Sequence, residues 1–79
     1  MAATLIFLGR LEDLAGGPSR EVAPGALEEV LAGLEITLAV ALLDERVRLA
    51  LNGTLVSERG GIMLESGDEL AFLPPVSGG

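Results

Sequence analysis

The stretch RVRLALNGTLVS, residues 46–57, constrains the fold more than any other part of this chain. Val47, Leu49 and Leu51 alternate with Arg46, Arg48 and Ala50, the period-two pattern of a strand with one face buried and the other open. Asn52-Gly53 follows at once, and both residue types tolerate the positive φ that a two-residue hairpin turn demands. Thr54 to Ser57 then returns as the second strand. A chain containing this hairpin must build a sheet, and the remaining segments have to supply its other strands and its cover.

The supply is readable. ATLIFLG, Ala3 to Gly9, is almost continuously apolar, as expected of a strand covered on both faces. RLEDLAGG places Leu11 and Leu14 three apart on a short helical turn that Gly16, Gly17 and Pro18 stop. Ser19 to Ala23 is expected to return as the second strand of a hairpin. ALEEVLAGLE carries Leu27, Val30, Leu31 and Leu34 at helical spacing, with Glu28 and Glu29 near the N-terminal end, where the helix dipole favours acids. Gly33 weakens that helix locally. In ITLAVALLDE the spacing of Ile36, Val40 and Leu43 favours a second short helix, although the β-branched residues also suit a strand. ESGDE is a turn, and ELAFL, Glu69 to Leu73, is the last strand.

Two strands, a helical segment and three strands predict an α+β domain with a mixed sheet of about five strands over one main helix. The β-grasp, or ubiquitin-like, fold satisfies this order. Residues 1–79 are expected to form one domain, with 74–79 a flexible tail.

Composition limits the chemistry. There is no Cys and no His, so thiolate ligands, disulfides and the usual general base are all missing. Arg10, Arg20, Arg46, Arg48 and Arg59 are the only cations, and Lys is absent. This argues against a self-contained catalytic site. A net charge of −7 argues against nucleic acid and anionic membrane as partners. The longest strongly apolar run, Ile36 to Leu43, is too short to span a bilayer, and MAATLIFLGR lacks the features of a signal peptide. A cytoplasmic location is expected. Mean hydropathy of +0.54 in so small a chain points to apolar surface that a partner covers.

The chain closes on FLPPVSGG. Pro74 and Pro75 stiffen the segment toward extended geometry, while Gly78 and Gly79, lacking Cβ, allow close backbone approach at the end. LALNGTLVS followed by SGDELAFLPPVSGG resembles the small subunit of molybdopterin synthase, the MoaD family of ubiquitin-like sulfur carriers, and the opening LIFLGRLEDLAG resembles that family's first strand and turn. The resemblance is tight over residues 49–79 and rests on pattern alone through the middle of the chain.

The resemblance implies a β-grasp carrier whose terminal carboxylate, here Gly79, is adenylated by an E1-like, MoeB-like adenylyltransferase that uses ATP. A sulfur donor protein then displaces AMP and leaves a thiocarboxylate. The charged tail, Pro74, Pro75, Val76, Ser77, Gly78 and Gly79, enters the large synthase subunit, MoaE-like, where sulfur passes to cyclic pyranopterin monophosphate. No bound cofactor or metal is implied. Gly79, with Gly78 before it, is the reacting end. Strand alternation sets Leu5, Phe7, Leu70 and Phe72 on the core face by family position, which leaves Leu8 and Leu73 as a docking patch near the tail. Another sulfur carrier, for thiamine or for tRNA thiolation, and a ubiquitin-like protein modifier or interaction module are the alternatives.

Overall fold

The computed structural model describes residues 2–75. In chain order the elements are β1 (Ala3–Phe7), α1 (Arg10–Ala15), β2 (Ser19–Val22), β3 (Gly25–Ala26), α2 (Leu27–Ala32), α3 (Ile36–Leu43), β4 (Arg48–Leu51), β5 (Thr54–Val56), β6 (Met63–Leu64) and β7 (Glu69–Leu73). Five strands form the main sheet in the order β2-β1-β7-β4-β5, and β3 pairs with β6 in a small second sheet. The central pair, β1 and β7, is parallel, whereas β1–β2, β7–β4 and β4–β5 are antiparallel. This is the mixed β-grasp sheet that the element order predicts.

One face of the sheet is packed. Ala3, Leu5 and Phe7 of β1, Leu49 of β4, and Leu70 and Phe72 of β7 are buried together with Leu27, Leu31, Leu38 and Leu42 from the helices. Phe7 and Phe72 are direct cross-strand partners, and their rings stack with centroids 5.9 Å apart. The core face expected for Leu5, Phe7, Leu70 and Phe72 is the one observed, with each at most 1% exposed.

The helical layer differs from the single main helix in an instructive way. α2 ends at Ala32, because Gly33 serves as its cap, and the eight-residue α3 follows after Leu34 and Glu35. The apolar spacing of Ile36, Val40 and Leu43 does indicate a helix, yet those side chains face solvent, at 81%, 65% and 58% exposure, while Leu38 and Leu42 enter the core. Every turn of ITLAVALL is apolar, so the pattern could not select a face, and packing over the sheet selected it. Leu14 likewise stays exposed while Leu11, three residues earlier, is buried. The two-residue strands β3 and β6 are too short to show any period.

Two polar devices fix the loops. Asn52, at φ 51°, and Gly53, at φ 85°, form the expected hairpin turn. The Asn52 side chain also reaches the turn before β7: its Nδ2 donates to Asp68 Oδ1 at 3.1 Å, and its Oδ1 accepts the Glu69 N–H at 2.9 Å. Asp68 Oδ2 in turn accepts the Glu65 N–H at 2.8 Å. At the other end of β4, the half-buried Arg59 guanidinium donates to the carbonyls of Leu42, Asp44 and Val47, satisfying acceptors left open where α3 ends. Among the described residues no helix is long and apolar enough to cross a membrane.

Candidate functional site: the sheet edge where the tail leaves

Strand β7 runs between β1 and β4 and delivers Pro74 and Pro75 to one end of the sheet. Hydrogen bonding continues just beyond β1, where the Leu8 N–H donates to the Phe72 carbonyl at 3.3 Å. β1 then stops abruptly. Gly9 has φ 56° and ψ −136°, a conformation that side chains with a Cβ strongly disfavour. A Cβ added there would lie 2.9 Å from Pro74 Cγ, so the backbone of Gly9 forms the seat on which the base of the tail rests. Pro74 and Pro75 together line an open cleft with Glu45, Arg46 and Arg48.

The outer face of the sheet carries the expected docking residues. Leu8 is 41% exposed, and Leu73 is half-buried on the same face, directly across from Arg48 of β4. The structure therefore brings Leu8, Leu73, Pro74 and Pro75 to one edge, with Leu8 and Leu73 outside the core. Val76, Ser77, Gly78 and Gly79 lie outside the described residues.

Register alignment extends this patch. Ser19, Ile6, Ala71, Ala50 and Leu55 pair successively across all five strands, and their side chains share the outer face. Ile6, Ala71 and Ala50 are half-buried and Leu55 is 61% exposed, so a narrow apolar band crosses the open side of the sheet. The same cross-strand alignment places Glu21, Thr4 and Glu69 in the next row, away from the tail. Gly9 and Arg48 escape a reading that looks for reactive groups. Their signals were the abrupt end of an apolar strand and the alternation RVRLAL, which puts Arg48 opposite Leu49.

The electrostatics of this edge are local. Arg46 grips Asp44 at two points, Nη2 to Oδ2 at 2.9 Å and Nε to Oδ1 at 3.2 Å, and its own N–H donates to the same carboxylate. These bonds, the side-chain pair first, hold the Asp44 carboxyl down to about 2. Arg48 makes no ion pair among the described residues. Nor do those residues include a cluster of three or more acidic, His or Cys side chains able to hold a metal. What the edge offers is a stiffened chain end beside an apolar, partly cationic surface, suited to docking and presenting the tail.

Comparison with known proteins gives a consistent answer. The ThiS family model matches residues 5–79. A molybdopterin synthase sulfur carrier subunit from Escherichia coli (strain K12) is 38% identical over 80 residues, covering 95% of this chain and 96% of the relative. Among solved structures, the complex of subunits 1 and 2 of molybdopterin-converting factor from Helicobacter pylori contains a chain that superposes with a TM-score of 0.70 at 25% identity, with full coverage of both chains. Small archaeal modifier protein 1 from Methanosarcina acetivorans shares the fold, with a TM-score of 0.78 at 22% identity over 99% of this chain and 96% of that one.

Proposed function

This chain belongs to the ThiS family and is a homologue of molybdopterin synthase sulfur carrier subunits, and from that premise we propose that it carries sulfur on its C-terminal glycine for the assembly of molybdopterin. The observation that carries the reading is the placement of Pro74 on the Gly9 seat, with Pro75 directly after it, at the end of the sheet where Leu8 and Leu73 lie outside the core. A partner that covers those two leucines necessarily has the tail at its door.

The chemistry follows from the nature of a carboxylate, a poor electrophile whose oxygen is a poor leaving group. An E1-like adenylyltransferase joins the Gly79 carboxylate to the α-phosphate of ATP and releases pyrophosphate. The terminal sulfur of a donor persulfide then attacks the activated carbonyl, the C–O bond to AMP breaking as the C–S bond forms. A thiol of the donor attacks the donor-side sulfur of the resulting acyl disulfide, so the S–S bond breaks, a disulfide remains on the donor and the thiocarboxylate leaves. In the large synthase subunit this sulfur passes to cyclic pyranopterin monophosphate, and the carrier returns to its carboxylate form. This chain's own contribution is positioning. Two consecutive prolines lower the entropy of ordering the tail in a narrow channel. Glycines at its end let the reacting carbonyl approach closely, where a displacement of roughly 1 Å can cost about a hundredfold in rate.

The test is mass spectrometry of the intact chain after incubation with its adenylyltransferase, ATP and a sulfur donor. The expected product has one oxygen replaced by sulfur at Gly79, and it loses that sulfur to cyclic pyranopterin monophosphate when the large subunit is added. Extension of the chain by one residue should abolish charging. Wild-type chain that gains no sulfur and is instead joined through Gly79 to lysines of other proteins is a protein modifier, and the proposal fails.

A further inference from the structure

The apolar band on the outer face does not by itself say which way round a partner sits. Leu55, Ala50, Ala71 and Ile6 form a strip across the strands, and a complementary strip could settle on it in either of two opposite senses. Only one of those senses brings the tail to the partner's active centre. The charges flanking the band are not symmetrical. On the tail side Arg48 stands next to Leu73. On the far side Glu21 and Glu69 flank Thr4, with no arginine paired to either among the described residues. The rows of Arg48 and Glu69 are four residues apart along the strand direction, about 13 Å at ~3.3 Å per residue.

We propose that Arg48 at the tail edge and Glu69 with Glu21 at the opposite edge set the polarity of docking, and that the partner which receives the tail carries an acidic side chain beside the tail entrance and a basic one about 13 Å away. This rests on the sulfur-carrier reading, with the large synthase subunit as the occupant. In the correct sense Arg48 meets an acid and the glutamates meet a base. In the reversed sense both contacts become like-charge pairs, and the carrier is rejected before its apolar band is desolvated. A second copy of this chain is the less favoured occupant, because two bodies that each carry −7 repel one another.

The test compares Arg48→Glu, Arg48→Gln and Glu69→Arg with wild type for binding to the large subunit by stopped-flow and calorimetry. Both side chains are exposed, so circular dichroism and melting should match wild type. Arg48→Glu and Glu69→Arg should each weaken binding about tenfold or more at ~0.1 M salt, chiefly through slower association, with Arg48→Gln intermediate. The differences should shrink several-fold at ~1 M salt, where the Debye length falls from ~10 to ~3 Å. Equal affinity of wild type and Arg48→Glu overturns the polarity proposal and leaves the carrier reading standing. A wild-type chain that never binds the large subunit overturns both. A wild-type dimer in sedimentation that Arg48→Glu dissociates assigns the face to a second copy and overturns the proposal as well.

Discussion

Asn52 offers a sharp test of whether the residues that announce this family are there for chemistry or for architecture. Its backbone sits at φ 51°, and its side chain ties the β4–β5 hairpin to the start of β7 through Asp68 and the Glu69 N–H. Replacing Asn52 with Gly removes the side-chain bonds but suits the left-handed backbone. The lost bond to the Glu69 N–H is worth about 1 kcal/mol and the added freedom of the unfolded chain about 0.5 kcal/mol. Replacing it with Ala loses the same bond and also forces a Cβ into the left-handed region, at about 1–2 kcal/mol. Asn52→Ala should therefore destabilise the chain by about 2–3 kcal/mol and Asn52→Gly by about 1.5 kcal/mol. In a domain of this size each 1 kcal/mol moves the melting midpoint by roughly 4–8 °C. Differential scanning calorimetry should rank wild type above Gly above Ala, with the Ala variant down by about 10–20 °C. At a temperature where both variants remain folded, sulfur loading at Gly79 should equal that of wild type, because the hairpin lies beside the start of β7 and the tail leaves from its end. Equal melting of all three proteins would refute the architectural account. Normal melting combined with failed loading would make Asn52 a contact residue for the enzymes.

Leu73→Asp should leave the fold intact, because the side chain lies on the outer face opposite Arg48, and should abolish co-elution with the large subunit, since a partner would have to desolvate the new charge. Loss of the circular dichroism signal would instead make Leu73 a core residue. Arg59→Met keeps the aliphatic stem but strands the carbonyls of Leu42, Asp44 and Val47; urea titration should show a loss of about 2 kcal/mol, and an unchanged midpoint would mean that water replaces the guanidinium without cost. Hydrogen bonding to Arg20 and Arg46 lowers Glu35 and Asp44 to about 2, and Asp68 is also depressed, by the Glu65 N–H and by Asn52. Folded pKa values below the unfolded ones contribute stability that is complete above about pH 5 and is lost as the pH falls toward about 2. Melting followed across that window should therefore show a decline, and Arg20→Gln should reduce it by removing the Glu35 share.

The sheet was legible in the sequence because its strands carry strong signals: alternation around Asn52-Gly53, an apolar first strand and an apolar last one. The core faces of β1 and β7 were legible for the same reason, once family position had chosen between Leu5/Phe7 and Ile6/Leu8. The orientation of α3 was not legible. A helix apolar on nearly all sides holds no record of which stripe turns inward, and only its packing into the shared core through Leu38 and Leu42 could decide. At the candidate site, the outward placement of Leu8 and Leu73 was expected from family position together with alternation, and Pro74 and Pro75 drew notice through their stiffness. Gly9 did not, since nothing local reveals that a glycine at position 9 will meet a proline at position 74. That contact exists only because strands at the two ends of the sequence become neighbours.

That neighbourhood bears on how the molecule is made. β1 is synthesised early, yet its parallel partner β7 comes after every other element. Until β7 emerges, Leu5 and Phe7 lack the strand they stack against, and the middle of the sheet is missing. Folding thus waits on a contact of very high sequence separation, which slows it and makes it nearly all-or-none with respect to chain completion. A ribosome that stalls before Glu69 releases a chain without a central strand, an object for proteolysis and not a compact competitor for the large subunit. Any copy that has folded has already received β7, whose last residue, Leu73, directly precedes Pro74, so the topology itself screens out carriers that stop short of the strand from which the tail leaves.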